Sequence, residues 1–391
     1  MTQLEHVGPG LGSAAPRARR KGYPAASRNF DLIALALAAW VLLGGYADGI
    51  AHVHGATDDS FFTPFHLLLY SGMLAKGIFL AGMQWRNVNR GHHWLQALPR
   101  GYLMSLVGIV LMATGGFLDF LWHTAFGIEA DIEAAVSPPH LLLAFSALVF
   151  MSGPLRALWG RAEAQRGRAQ LFPAIASALL VYSIFSLFTQ FVHAISWVEL
   201  FTPGGEPDEL LLRDHAMTAK VIFPALLMSA VLLLLLRRWA LPFGAVTFLL
   251  VTNSALMFLL RSASHGGDNW LVLLAPLVAG LLGDLLLRGL QRPRIAALPL
   301  RAFAFLVPFS YHVAFFVILQ WTGGIWWSIH MWTGVSVLAG VFGLALSFVA
   351  VPPPLPPEGS PAPAQGPQDR AGRTGESAWR APAAARDTVR R

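Results

Sequence analysis

Residues 48–66 read DGIAHVHGATDDSFFTPFH. The stretch holds three Asp and three His, and a long apolar run lies on either side of it. An apolar run, a polar turn and a second apolar run form the pattern of a helical hairpin whose turn meets a membrane surface.

Composition extends that reading to the whole chain. Of its 391 residues, 55% are hydrophobic and only 13% are charged, with a mean hydropathy of +0.54. Soluble domains carry about 25% charged residues, so this chain lacks the polar surface to cover a water-soluble globule. A helix crosses the hydrocarbon core in ~20 apolar residues. Ten such runs can be marked, at about 30–51, 61–84, 101–123, 138–159, 171–197, 214–236, 240–262, 269–288, 298–321 and 326–350. The expected fold is all-α: a polytopic transmembrane helix bundle of about ten spans. A membrane β-barrel would show short alternating segments instead.

The expected organisation has four parts. Residues 1–29 form a basic N-terminal segment, 30–160 the His/Asp-bearing hairpins, 161–351 further membrane hairpins, and 352–391 a Pro-, Ala-, Gly- and Arg-rich tail expected to be disordered. The first apolar run lacks a small-residue cleavage pattern and reads as a permanent helix.

The loops alternate in charge. The N-terminal segment, 84–94, 154–168, 236–239, 287–301 and the tail are basic; 52–60, 123–137, 198–214, 264–269 and 322–328 are acidic or neutral. The positive-inside rule then places both termini in the cytoplasm, in a plasma (inner) membrane, and residues 48–66 on the outer face. The arginines act as loop anchors, so a net charge of +7 does not point to nucleic acid. The chain has no cysteine, which excludes disulfides, thiolate metal sites, iron–sulfur clusters and a thiol nucleophile.

The hairpin turns repeat. Asp48 and His52 precede Thr63-Pro64-Phe65-His66, and Asp119 and His123 precede Ser137-Pro138-Pro139-His140, each followed by three leucines. Both read D-x3-H…[ST]-P-x-H-L-L-L, with the aspartates 71 positions apart. Fainter echoes follow at His193, His215 and His265, with Thr189 and Arg261 at the Asp positions. The chain therefore reads as repeated helical hairpins of about 70 residues.

The spacing carries chemistry. Residues i and i+4 share a helix face, so Asp48 and His52 project together, as do Asp119 and His123. A Thr or Ser cap followed by Pro starts the next helix and puts His66 or His140 in its first turn, beside the preceding helix end. Two donors from one helix and one from the next can converge on one ion. The metal-ligand candidates are Asp48, His52, His66, Asp119, His123 and His140. Additional ligands or their hydrogen-bond partners could come from His54, Asp58, Asp59, Glu129, Asp131, Glu133, His193, His215, His265 and His330. A single histidine at a helix end is ordinarily an interfacial polar residue; the matched set in two hairpins is what distinguishes these six. Imidazole and carboxylate donors suit copper, zinc or iron.

The paired pattern, and DDSFFTPFHLLLYSG (58–72) in particular, resembles the C subunit of the copper membrane monooxygenases, the particulate methane and ammonia monooxygenase group. The resemblance spans residues 30–160. It implies copper at Asp48, His52 and His66, and at His123 and His140, with Asp119 where that family usually has Asn. It further implies oxygen-dependent oxidation of a small apolar molecule and partner subunits of the monooxygenase type, or a homo-oligomer. This chain has more spans than that subunit and a longer, more acidic second loop.

A transporter or metal-handling permease is the alternative, with the His/Asp cluster as its entry site and a polar path continuing inward. A quinol or haem protein would pair histidines at two depths rather than cluster them with carboxylates at one face. Elsewhere, Lys220 is expected to snorkel outward or pair with Asp214, His312 to be hydrogen-bonded in the bundle, and Asp284 to pair with Arg288.

Overall fold

Helix starts follow short polar signals. The Ser27 hydroxyl accepts from the Phe30 N–H, the Thr63 hydroxyl from His66 N–H and the Ser328 hydroxyl from Met331 N–H. Each satisfies an amide that the first turn leaves without a partner. Pro64, and Pro138 after Ser137, occupy first-turn positions where no donor is lost.

The computed structural model describes residues 22–55, 61–127, 131–161, 170–205, 210–262, 269–289 and 297–352. Twelve α-helices run in order among them: α1 (Arg28–Val53), α2 (Pro64–Asn89), α3 (Leu103–Phe126), α4 (Asp131–Val136), α5 (Pro138–Met151), α6 (Gly153–Trp159), α7 (Phe172–Phe188), α8 (Leu210–Arg238), α9 (Ala245–Ser262), α10 (Leu274–Gly289), α11 (Ala297–Thr322) and α12 (Ile329–Ala350). No β-strand occurs among the described residues.

Eight helical segments are long and apolar enough to cross a membrane, the continuous run α5–α6 counting as one. Phe172–Phe188 and Ala245–Arg261 are apolar but shorter. The protein is thus a multi-pass membrane protein. Its outward faces agree: Leu67, Leu74 and Ile78 on α2, Val110 and Phe117 on α3, and Val349 on α12 are exposed, as lipid contact requires and water does not. On α2 the buried positions form a narrow line, His66, Gly72, Lys76, Leu80 and Asn87, so α2 is peripheral. On α7, 13 of 17 residues are buried; a helix apolar all round belongs at the centre.

α1 packs on α2, α3 on α5, α10 between α9 and α11, and α12 on α11 and α8, while α7 touches α1, α5, α6, α8 and α9. Small residues permit the closest approaches, as is usual where apolar lipid offers no other drive for helix association. A Cβ on Gly44 of α1 would stand 2.6 Å from the Leu69 Cα on α2, and one on Gly108 of α3 would stand 2.8 Å from the Phe150 nitrogen on α5.

Several boundaries differ from the expected ones. The fifth run stops being α-helical at Phe188; Gln190–Val192, Ala194–Ser196 and Val198–Phe201 are 3-10 turns. Side-chain hydrogen bonds stabilise this tighter path: Trp197 Nε1 donates to Gln190 O at 3.0 Å and Lys220 Nζ to Phe191 O, while the segment's own Ser196 hydroxyl donates to Met257 O of α9 at 3.0 Å. The acidic second turn contains its own short helix, α4. Lys220 neither snorkels nor pairs with Asp214; it lies 4.6 Å from the Trp197 ring centroid, while Asp214 accepts from Trp327 Nε1 at 3.1 Å. Asp284 does not pair with Arg288. Its carboxylate accepts from the backbone N–H of Val246 (3.1 Å) and Thr247 (3.0 Å), capping the start of α9. The basic residues 1–21 and the tail from 353 onward lie outside the described residues.

Candidate metal centre

α1 delivers Asp48 and His52 from its last turns, and α2 delivers His66 from its first. The Asp48 carboxylate oxygens stand 3.8 Å from His52 Nε2 and 3.4 Å from His66 Nε2. α3 and α5 repeat the construction. Asp119 Oδ1 stands 3.5 Å from His123 Nε2 and 3.5 Å from His140 Nε2. Within each trio, one donor atom per residue lies within 4.8 Å of the others. Nitrogen and oxygen ligands about 2.0–2.1 Å from one tetrahedral ion stand ~3.3 Å apart, so both trios are close to the size of a coordination shell.

The second ring nitrogens explain the orientation. His66 Nδ1–H donates to Phe61 O at 2.5 Å and His123 Nδ1–H to Gly127 O at 3.2 Å; His140 Nδ1 is hydrogen-bonded to the Ser137 hydroxyl at 2.7 Å. A backbone carbonyl can only accept, so the bonds of His66 and His123 put a proton on Nδ1, which in the neutral ring leaves the Nε2 lone pair toward the carboxylate; the Ser137 hydroxyl can donate to or accept from His140 Nδ1. Beside Asp48, a neutral His66 ring sets its Nε2 acceptor against a carboxylate oxygen at 3.4 Å. A cation at the centre of the trio resolves that repulsion. The donor set and its hydrogen-bonded outer layer fit a metal ion.

The two trios are neighbours. The Phe61 ring centroid lies 4.7 Å from that of His66 and 6.2 Å from that of His123. Tyr70 stacks obliquely on His66 at 5.9 Å and lies in the fields of both Asp48 and Asp119. Gly116 makes room for it: a Cβ there would meet the Tyr70 hydroxyl at 2.8 Å. One cavity of ≈ 80 Å³ is lined by Asp48 and His52 of the first trio and His140 of the second, with Gly45, Leu187 and Phe188 as apolar wall.

The other sequence candidates fall outside both trios. His54 closes α1, its Nδ1 2.6 Å from Ile50 O. Glu133, His215 and His330 are exposed. His193 is buried between two 3-10 turns, and neither ring nitrogen has a hydrogen-bond partner among the described residues. Burial pushes its pKa down to about 3, with His312 adding like-charge repulsion. Asp58, Asp59, Glu129 and His265 lie outside the described residues, as does the side chain of Asp131.

Two residues beside the trios, and a lysine deeper in α2, were not singled out by the sequence pattern. Phe61 and Tyr70 are ordinary aromatics in an aromatic-rich chain. Lys76 is fully buried in α2, donates to Phe150 O at 3.3 Å and lies 4.8 Å from the Phe150 ring centroid. A lone lysine in an apolar run is the one available sign, since ionisable groups at membrane depth are costly and tend to be kept for function. At the opposite end of α1, Asp31 accepts from the Tyr102 hydroxyl at 2.7 Å and pairs with Arg161 at 2.8 Å.

The fold and these groups define a multi-pass helical membrane protein with two His/Asp clusters of the kind that holds metal. No family model matches the chain, and no curated protein or solved structure is significantly similar to it.

Proposed function

We propose that the protein is a membrane-bound metalloprotein, a divergent relative of the copper membrane monooxygenase C subunit. Asp48, His52 and His66 hold one ion, and Asp119, His123 and His140 a second. Copper is the preferred ion; zinc or iron are the alternatives for this donor set. The single observation that carries the reading is the duplicated trio whose His66 and His140 are each held by a hydrogen bond between Nδ1 and an oxygen atom, Phe61 O and the Ser137 hydroxyl. A three-donor site leaves a coordination position open, and copper there would supply oxygen activation. The chain's own residues orient the imidazoles, exclude water with Phe61 and Leu187, and present the small cavity in which an apolar group can lie against both trios. On this reading all ten apolar helices span a plasma membrane, with both termini cytoplasmic and the trios at the outer face.

The test is metal content. The full chain purified in mild detergent should carry one to two coppers, and the Asp48→Ala/His52→Ala/His66→Ala variant about one fewer. Absence of retained copper, zinc and iron in both proteins after metal loading would rule the reading out.

One observation favours a permease as the second reading. Buried polar groups continue inward from the clusters: the Tyr46 hydroxyl donates to Ser183 O at 3.0 Å, and the Ser254 and Tyr311 hydroxyls are 2.9 Å apart. Uptake of radioactive metal into proteoliposomes, abolished by the same triple substitution, would select it.

A further inference from the structure

The end of α1 away from the trios carries a larger cavity, ≈ 530 Å³. Arg28 opens α1 and Asp48 lies near its close, so at 1.5 Å per residue the two ends are about 30 Å apart. Three arginines line the cavity from three separate places in the chain: Arg28, Arg100 in the turn before α3, and Arg161 just past α6. Pro24, Pro99 and Pro173 form stiff apolar wall between them.

The floor of the cavity is fixed by an ion pair. Asp31, 1% exposed, accepts from Arg161 on both oxygens, Nη1 to Oδ2 at 2.8 Å and Nη2 to Oδ1 at 3.2 Å, and from the Tyr102 hydroxyl at 2.7 Å. Asp31 is the one acidic residue among the described residues that line the cavity, and Arg161 already answers its charge. Arg28 and Arg100 differ. Neither side chain has a hydrogen bond or ion pair with any described residue. Arg100 lies along Gly160, where a Cβ would stand 3.6 Å from its Nε. Two guanidinium groups thus line one cavity with no carboxylate of their own.

We propose that this cavity binds an anionic phosphate group, with Arg28 and Arg100 as its charge partners. A carboxylate is satisfied by a single guanidinium fork, as Asp31 is by Arg161. A tetrahedral phosphate offers oxygens to two forks arriving from different elements. The volume holds a phosphate together with a glycerol-sized group. Basic pockets at the ends of membrane-spanning helices suit phospholipid heads, and Tyr23 and Phe172, 49% and 47% exposed, supply aromatic surface beside this one of the kind that sits at a membrane interface. The proposal is independent of the metal reading, because the cavity shares no residue with either trio.

The experiment is calorimetric titration of the full chain in uncharged detergent with dioctanoyl phosphatidylglycerol, dioctanoyl phosphatidylcholine and inorganic phosphate. Phosphatidylglycerol should bind at least about tenfold tighter than phosphatidylcholine, the scale of one charge-assisted hydrogen bond. Arg28→Gln/Arg100→Gln should remove that preference. Arg86→Gln/Arg90→Gln removes the same charge from the last turn of α2 and the residue after it, outside this cavity, and should leave the preference intact. Should the first variant fail to fold, Ala25→Trp serves instead: Ala25 lines the cavity and is exposed, so the new ring fills the space, keeps both arginines, and should abolish the preference. Inorganic phosphate distinguishes the source. Phosphate that binds as tightly as phosphatidylglycerol, with the same dependence on Arg28 and Arg100, assigns the cavity to a free phosphate; phosphatidylglycerol binding without phosphate binding assigns it to a lipid head.

Equal affinity for the two lipids with no phosphate binding overturns the proposal. So does a preference that survives Arg28→Gln/Arg100→Gln, or one lost equally in Arg86→Gln/Arg90→Gln, which would make it a property of diffuse surface charge.

Discussion

Asp119 faces His140 across two helices at 3.5 Å, with only 1% of its side chain exposed. A carboxylate that deep inside a membrane bundle is expensive unless charge is supplied to it. Asp119→Leu keeps the approximate size and removes both the charge and the donor oxygens. It should lower copper occupancy by about one ion per chain and leave the Asp48 trio filled. Metal analysis of that single variant against Asp48→Leu checks whether the two trios load independently.

The Ser137 hydroxyl holds His140 Nδ1 at 2.7 Å and touches no donor atom of the trio itself. Losing such an outer hydrogen bond typically weakens metal binding 10–100-fold. Ser137→Ala should therefore shift the chelator concentration that strips the second ion by at least about tenfold. Ser137→Thr, which keeps the hydroxyl, should restore it.

Gly44 sits where α1 meets the backbone of α2, and a Cβ there would come within 2.6 Å of the Leu69 Cα. Backbone cannot rotate away, so Gly44→Ala must push the helices apart. The cost of such overpacking is typically ~1–3 kcal/mol. Because Asp48 and His52 ride on α1 and His66 on α2, the same change should empty the first metal site before the second. Thermal unfolding and metal content on one sample measure both effects.

Asp31 is buried at the far end of α1 and serves Tyr102 and Arg161. Asp31→Ala leaves the Tyr102 hydroxyl without its acceptor, which costs about 1–3 kcal/mol for a buried group. Stability should fall while copper stoichiometry stays the same. A loss of copper in this variant would show that the two ends of the helix are coupled.

His193 lies past the end of α7, and its pKa is depressed to about 3 from the ordinary 6.5. Between those values the unfolded chain binds a proton that the folded chain does not, so stability rises with pH there. Acidification from pH 7 to pH 5 should therefore destabilise the protein, by on the order of 1–2 kcal/mol from this group. Below about pH 3 the contribution becomes constant. A melting-temperature series in which His193→Gln has the same pH slope as the unchanged protein would refute this.

Much of the site was legible because its grammar is local. D-x3-H is one turn of helix, and [ST]-P-x-H is a cap and a first turn, so three local rules place three donors near one another without knowledge of the rest of the bundle. The Lys220–Asp214 and Asp284–Arg288 pairings failed for the opposite reason. Spacing nominated a partner on the same or a nearby turn, but Trp197 and the start of α9 lie closer in space. The fifth helix was drawn too long because an apolar run does not reveal that Trp197, Ser196 and Lys220 hydrogen-bond carbonyls and support a tighter winding.

By itself the sequence determined that this is a helical membrane protein, because long uncharged runs in lipid can satisfy their backbone polar groups only within themselves. It also determined which six residues converge in two threes, because helix periodicity and capping act over a few residues. Tertiary structure alone decided that the two threes share a cavity and that Phe61 and Tyr70 lie beside both. Those relations join residues on separate helices, from Gly45 to Gln190. They depend on where glycines such as Gly44 and Gly116 let helices and rings approach, and close packing is a property of pairs of surfaces rather than of any one segment.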